Sequence, residues 1–352
     1  MSTANGIETA PARIEWIDLL KGLAIILVVM GHMPYDDGSV ALKNGIYSFH
    51  MPLFFLLAGF TAALSMSRSG SPCRFIQKRM VSVFIPYLAW SFMIAPFASL
   101  STYQHYSLAV CWNNFATGNV AGWFLPCLLG LQLLFALYTA VTDRFRRPAI
   151  KIALILIMFA GVVLCHRTWG VYHGGVLDKW DLQFFTCIYR YYIPFGVGVA
   201  IFQYPAFKKF CAGTVACTAC VLIVLLLTGL RDGLSVSLSN HLRTVIGIAA
   251  SLVLIRMFSG RLLPEWVNSQ LKAIGKDTLI IYLISGAFIP HTCTWFHGMD
   301  GTVAFLVYLP ICVGICYFCV AVARMISTSP ILGLIFLGKL PAKHAATPPE
   351  RS

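Results

Sequence analysis

Apolar residues in this chain come in long runs separated by short polar segments. The runs are Trp16–Met33, Ile46–Leu64, Met80–Leu100, Gly122–Val141, Ala149–His166, Leu182–Phe202, Cys211–Gly229, Leu242–Phe258, Leu279–Phe296 and Thr302–Ala323. Each is near the roughly 20 residues that cross a hydrocarbon core as a helix. The pattern predicts an all-α, polytopic membrane protein with about ten transmembrane helices. A shorter run, Ile331–Leu337, follows Pro330 and extends the last helix or lies in the interface. Residues 1–338 read as one membrane-embedded domain. Residues 339–352 read as a basic, disordered tail.

Loop charges orient these spans. With the N-terminus inside, the inner segments hold Arg68, Arg74, Lys78, Arg79, Arg144, Arg146, Arg147, Lys151, Lys208, Lys209, Arg256, Arg261, Lys272 and Lys276. The outer ones keep Lys43, Arg167, Lys179, Arg190, Arg231 and Arg243. This bias places both termini in the cytoplasm. Residues 1–14 are polar, so the first run reads as a retained span rather than a cleaved signal.

Composition agrees. The chain is 58% hydrophobic and 11% charged, with mean hydropathy +0.77, whereas a soluble domain is about 25% charged. The net charge of +13 follows from topology, so nucleic acid is not an expected partner. Most of the twelve cysteines lie inside apolar runs. Cys217 and Cys220 form a CxxC with no His or carboxylate nearby, so no metal site is expected. Cys111 and Cys293 face outward, with pairing open. The outer segments Ser101–Ala121 and His166–Asp181 carry Trp, Tyr, His, Asn and Asp, which suit a sugar or an ordinary aromatic belt.

The first run is the unusual one, because Asp18, Lys21 and His32 sit in it. Ionisable groups in a span mark candidate function. Lys21 and His32 are eleven residues apart, which on a helix is three turns plus about 20°, or roughly 16 Å of rise on one face. Asp18 is placed to pair with Lys21. His50 opens the second span, joined to the first by a short loop, so the two helices are expected to be antiparallel neighbours with the imidazoles at similar depth. The bland alternatives are a snorkelling Lys and a packed His.

The runs RIEWIDLLKGLAIILVVMGH, YSFHMPLFFLLAGF, FIQKRMVSVFIPY and GWFLPCLL resemble acyltransferase family 3, close to the fucose acetylase-like sugar O-acetyltransferases. The resemblance covers nearly the whole chain and implies a ten-helix enzyme of the bacterial inner (plasma) membrane. Such an enzyme moves acetyl from acetyl-CoA, a substrate and not a resident cofactor, to a hydroxyl of a surface polysaccharide or its lipid-linked precursor. It implies that His32 is the catalytic general base, with an acyl-imidazole as the variant. It also implies that Lys21 contacts the donor or orders the site, and that Arg74, Lys78 and Arg79 bind CoA phosphates. Arg190 resembles a buried family arginine suited to an oxyanion or phosphate. Asp18 and His50 are supporting residues, and Trp123 and Phe124 are structural. The chain departs from the pattern with Lys21 where many relatives have Arg, Ser82 where many are basic, and Ser285 where many have His, with His291 out of register. A transporter or flippase of a lipid-linked glycan, or transfer to an amine, would use the same polar groups.

Overall fold

The computed structural model describes residues 14–101, 123–145, 147–172, 178–211, 213–230, 236–259, 263–289 and 298–339. The segment 102–121, Cys111, Cys293, His291 and the tail beyond Lys339 lie outside the described residues. The regular structure of the described residues is helical throughout. In order the helices are α1 (Glu15–Gly31), α2 (Val40–Ser69), α3 (Pro72–Arg79), a π turn (Met80–Phe84), α4 (Ile85–Ser101), α5 (Phe124–Thr142) and α6 (Pro148–Tyr172). Then come α7 (Asp178–Gln203), α8 (Pro205–Cys211), α9 (Thr214–Leu230), α10 (Val236–Ser259), α11 (Glu265–Gly275) and α12 (Thr278–Ile284). A 3₁₀ turn (Ser285–Phe288), α13 (Gly301–Ser327) and α14 (Pro330–Leu337) complete them.

Every apolar run of the sequence is helical over most of its described part. Among the described residues five helices, α2, α5, α6, α7 and α13, are long and apolar enough to cross a membrane, and the bent pair α8–α9 makes a sixth if taken as one span. The remaining runs are shorter or divided. α1 has 17 residues, the third run passes through the π turn, and the ninth changes from α12 to a 3₁₀ turn. α11 is an addition: it lies between apolar runs, where the sequence reads only as a basic loop.

α2 is the axis of the bundle, since 72% of its apolar window is buried by protein, whereas for α6 the share is 6%. Within a bilayer, helices are held by close packing more than by the hydrophobic effect. Glycines supply that closeness here. A Cβ on Gly59 would stand 2.0 Å from the Phe195 carbonyl oxygen, and one on Gly198 would stand 1.9 Å from that of Leu56. α2 and α7 therefore touch backbone to backbone. Aromatic rings fill the adjoining layer. Phe55 stacks on Tyr191 at 4.3 Å, Trp123 stacks on Tyr191 at 5.4 Å, and Phe124 meets Tyr282 at 5.1 Å. Trp123 and Phe124 thus tie α2, α5, α7 and α12 together.

α1 is clasped in the same way. A Cβ on Gly22 would stand 2.1 Å from the Leu271 carbonyl oxygen, and one on Gly275 would stand 1.9 Å from that of Asp18. Lys272 pairs with Glu15 at 3.1 Å, but an ion pair this open contributes about 0.2–1 kcal/mol. The backbone contact is therefore what fixes α11 against α1. At the chain's end, α14 returns to α4, where the Trp90 Nε1–H donates to the Phe336 carbonyl at 2.9 Å. Gly338, at φ +61°, then lies on the backbone of Ser82 in the π turn. A Cβ on Gly338 would stand 2.6 Å from the Ser82 Cα and 2.6 Å from the Val81 carbonyl oxygen, so main chain covers Ser82.

Candidate active site

His32 stands just past the last turn of α1, as its C-cap, and is exposed. Its Nδ1 lies 2.7 Å from the Val28 carbonyl oxygen. A carbonyl can only accept, so Nδ1 carries the proton and donates it there. In the neutral ring the lone pair is then on Nε2. His50 repeats the arrangement one helix away: its Nδ1–H donates to the Ile46 carbonyl at 2.6 Å. His50 differs in being 2% exposed.

Tyr47 connects the two. Its ring centroid is 6.4 Å from that of His32 and 5.0 Å from that of His50. The short loop does bring α1 and α2 side by side. Tyr47 packs over Gly31, where a Cβ would stand 3.0 Å from its ring. Nothing in the linear pattern singles out Tyr47. It lies three residues from His50, on the α2 face turned to the end of α1.

The loop between them is fastened from across the bundle. Tyr35 donates to the Met30 carbonyl at 2.9 Å, Tyr308 of α13 donates to the Pro34 carbonyl, and the two tyrosine rings meet edge on at 5.3 Å. Asp36 accepts from the Gly298 backbone N–H and from the Ser39 N–H and hydroxyl. These donors, the Gly298 N–H first, hold its carboxyl below the usual range. The segment bearing His32 is thus held by α13.

The cations lie toward the other end of α1. Asp18 is buried and Lys21 half-buried, on the stretch that α11 covers. α2 runs from the His50 end to Ser69, so α3, which follows at once, is at that opposite end too. There Arg74 and Lys78 are exposed and Arg79 is half-buried. Arg79 lies over the Phe75 ring at 5.0 Å, and Phe75 meets Phe135 of α5 edge on at 6.2 Å. Arg79 Nε and Gln132 Oε1, one turn from Phe135, are both buried without a hydrogen-bond partner. An unmet buried polar atom costs about 1–3 kcal/mol, so each is a vacancy for a polar group.

Arg190 is placed differently from the buried arginine it resembles. It is exposed on α7, next to buried Tyr191, and its charge bears on His166 of α6. At this position α7 turns its side chain off the packed face, while the adjoining Tyr191 enters it. Ser285, at the end of α12, is buried.

Its long apolar helices make this a multi-pass membrane protein, with His32 at one end of α1 and the cations at the other. The chain matches the family model described as "Acyltransferase domain" over residues 14–324. It belongs to acyltransferase family 3. It is 32% identical over 177 residues to Nodulation protein NolL of Sinorhizobium fredii (strain NBRC 101917 / NGR234), a match covering 46% of this chain and 47% of that protein. The chain thus spans about half the length of the curated relative it matches. No solved structure matches it.

Proposed function

We propose that this acyltransferase takes acetyl from acetyl-CoA and esterifies a hydroxyl on a surface polysaccharide or its lipid-linked precursor, in the bacterial inner membrane. The observation that carries the reading is the state of His32: an exposed imidazole at the end of a span, with Nδ1–H bound to the Val28 carbonyl and Nε2 left basic. In the proposed topology about ten spans hold both termini in the cytoplasm, residues 1–338 are the catalytic unit, and residues 339–352 are a tail.

Arg74, Lys78 and Arg79 hold the donor's phosphates on the cytoplasmic side, the Arg79 Nε–H serving as one donor. The pantetheine arm runs along α1 past Lys21, covering the roughly 16 Å of helix rise to His32. Nε2 of His32 takes the proton from the acceptor hydroxyl as its oxygen attacks the thioester carbonyl. A C–O bond forms, the C–S bond breaks, and the proton passes from the imidazolium to the leaving thiolate. The products are an acetyl ester and the free thiol of CoA. Arg190 is assigned to the oxyanion or a donor phosphate. Asp18 holds Lys21, and His50 supports His32 through Tyr47.

The test uses membranes matched for protein level, labelled acetyl-CoA, and a count of base-labile acetyl in the glycan fraction. Wild type transfers label, and His32→Ala lowers the rate by about 10²–10⁴, the usual worth of a general base. Equal rates would refute the assignment of His32. Base-stable label would mean an amine acceptor. Absence of CoA release in wild type would refute the reaction.

A further inference from the structure

α6 meets α7 unevenly along its length. Toward one end they are joined by rings and polar contacts: His166 stacks on Tyr189 at 5.0 Å, Phe159 meets Tyr192 at 5.4 Å, and the Thr186 hydroxyl lies 3.1 Å from His166 Nδ1. The last tie is the Tyr192 hydroxyl donating to the Ile155 carbonyl at 3.3 Å. Beside it an apolar groove of about 120 Å³ lies between α5, α6 and α7. Phe135, Ile155, Tyr192, Gly196, Ala200 and Tyr204 line it. Gly196 is exposed and a Cβ there would meet nothing within 4 Å, so the groove continues over its backbone.

Cations stand one helical turn from two of the lining residues. Lys151 stands one turn from Ile155 on the same face of α6. Lys208 stands one turn beyond Tyr204, its backbone N–H bonded to the Tyr204 carbonyl. Among the described residues of the two adjoining turns, 143–151 and 204–211, there are five cations, Arg144, Arg147, Lys151, Lys208 and Lys209, against one carboxylate, Asp143. An empty apolar groove forfeits contact energy along its whole wall, and a bilayer offers chains to fill it. Basic pockets between helices select anionic headgroups.

We propose that this groove binds one acyl chain of an anionic glycerophospholipid, whose phosphate is held between Lys151 and Lys208. The proposal is independent of the acyl-transfer reading, since no lining residue is assigned a role in it, although Phe135 also packs on Phe75 of α3. The site is ordered and selective, unlike the surrounding bilayer, because concave walls fix one chain and two cations read its headgroup.

The test is native mass spectrometry of the full chain in detergent, titrated separately with phosphatidylglycerol and with phosphatidylcholine. Wild type should retain one phosphatidylglycerol at least fivefold more strongly than phosphatidylcholine. Gly196→Leu, which fills the groove and favours the helix, should cut retention of both lipids about fivefold. Lys151→Gln with Lys208→Gln should keep phosphatidylcholine retention and lower that of phosphatidylglycerol at least about fivefold, to about the phosphatidylcholine level, since each basic group is worth roughly 1 kcal/mol. Should Gly196→Leu fail to fold, Ala200→Phe blocks the same groove one turn on. Equal retention of the two lipids by wild type, or unchanged retention in the filled variant, would overturn the proposal.

Discussion

One hydrogen bond decides what the imidazole at position 32 can do. By donating Nδ1–H to the Val28 carbonyl, His32 keeps a single tautomer and aims its basic nitrogen away from the helix. His50 has the same bond but is buried, so it is suited to support rather than to meet an acceptor. His32→Gln should therefore lose about 10²–10⁴ in rate at normal protein level. His50→Gln should lose less rate and more protein, read by comparing kcat with the amount of folded enzyme. Asp18→Asn should lower protein level or activity, and full activity at normal level would dismiss its pairing with Lys21. Arg190→Gln separates a chemical role from helix packing, since a chemical role predicts lower kcat at unchanged protein level. Lys21, His32 and Asp18 were legible in the sequence because charge is rare in apolar runs. Tyr47 and Gln132 were not, because their parts depend on which neighbour each helix turns to.

Helices here are joined chiefly at points where one backbone touches another. The α1–α11 contact is such a joint, and it holds the half of α1 that carries Asp18 and Lys21. Gly275→Ala would put a methyl 1.9 Å from the Asp18 carbonyl oxygen, forcing the helices apart. We expect a loss of about 1–3 kcal/mol, as for other overpacked positions, seen as a lower melting temperature of the detergent-solubilised protein. Lys272→Ala should cost under about 1 kcal/mol, because its partner Glu15 is open to solvent. If the two variants were equal, the ion pair and not the backbone contact would be the joint. α11 was not visible as an element because its 11 residues alternate polar and apolar at helical spacing, and a span pattern shows long runs only.

Across the whole molecule, the His32 loop is tied to α13 by Asp36, Tyr35 and Tyr308. Asp36 titrates below its ordinary value because the Gly298 N–H and the Ser39 groups bond its charged form. That contribution to stability is present above about pH 4, the unfolded carboxyl value, and is lost as pH falls through the lower folded one. Melting temperature should therefore fall on the acid side in wild type, and Asp36→Asn should flatten that limb. An unchanged limb in the variant would show that the clasp does not couple the loop to α13.

The amino-acid pattern alone determined that this is an all-helical membrane chain, where its apolar runs lie, and that one of them holds a base and a cation. Those follow from composition and from the period of the helix, which are local. The tertiary structure decided which histidine is exposed, that Arg190 sits with α6 and α7, that α11 covers the Lys21 end of α1, and that a groove opens between α5 and α7. Each depends on how helices distant in sequence pack, which no single run encodes.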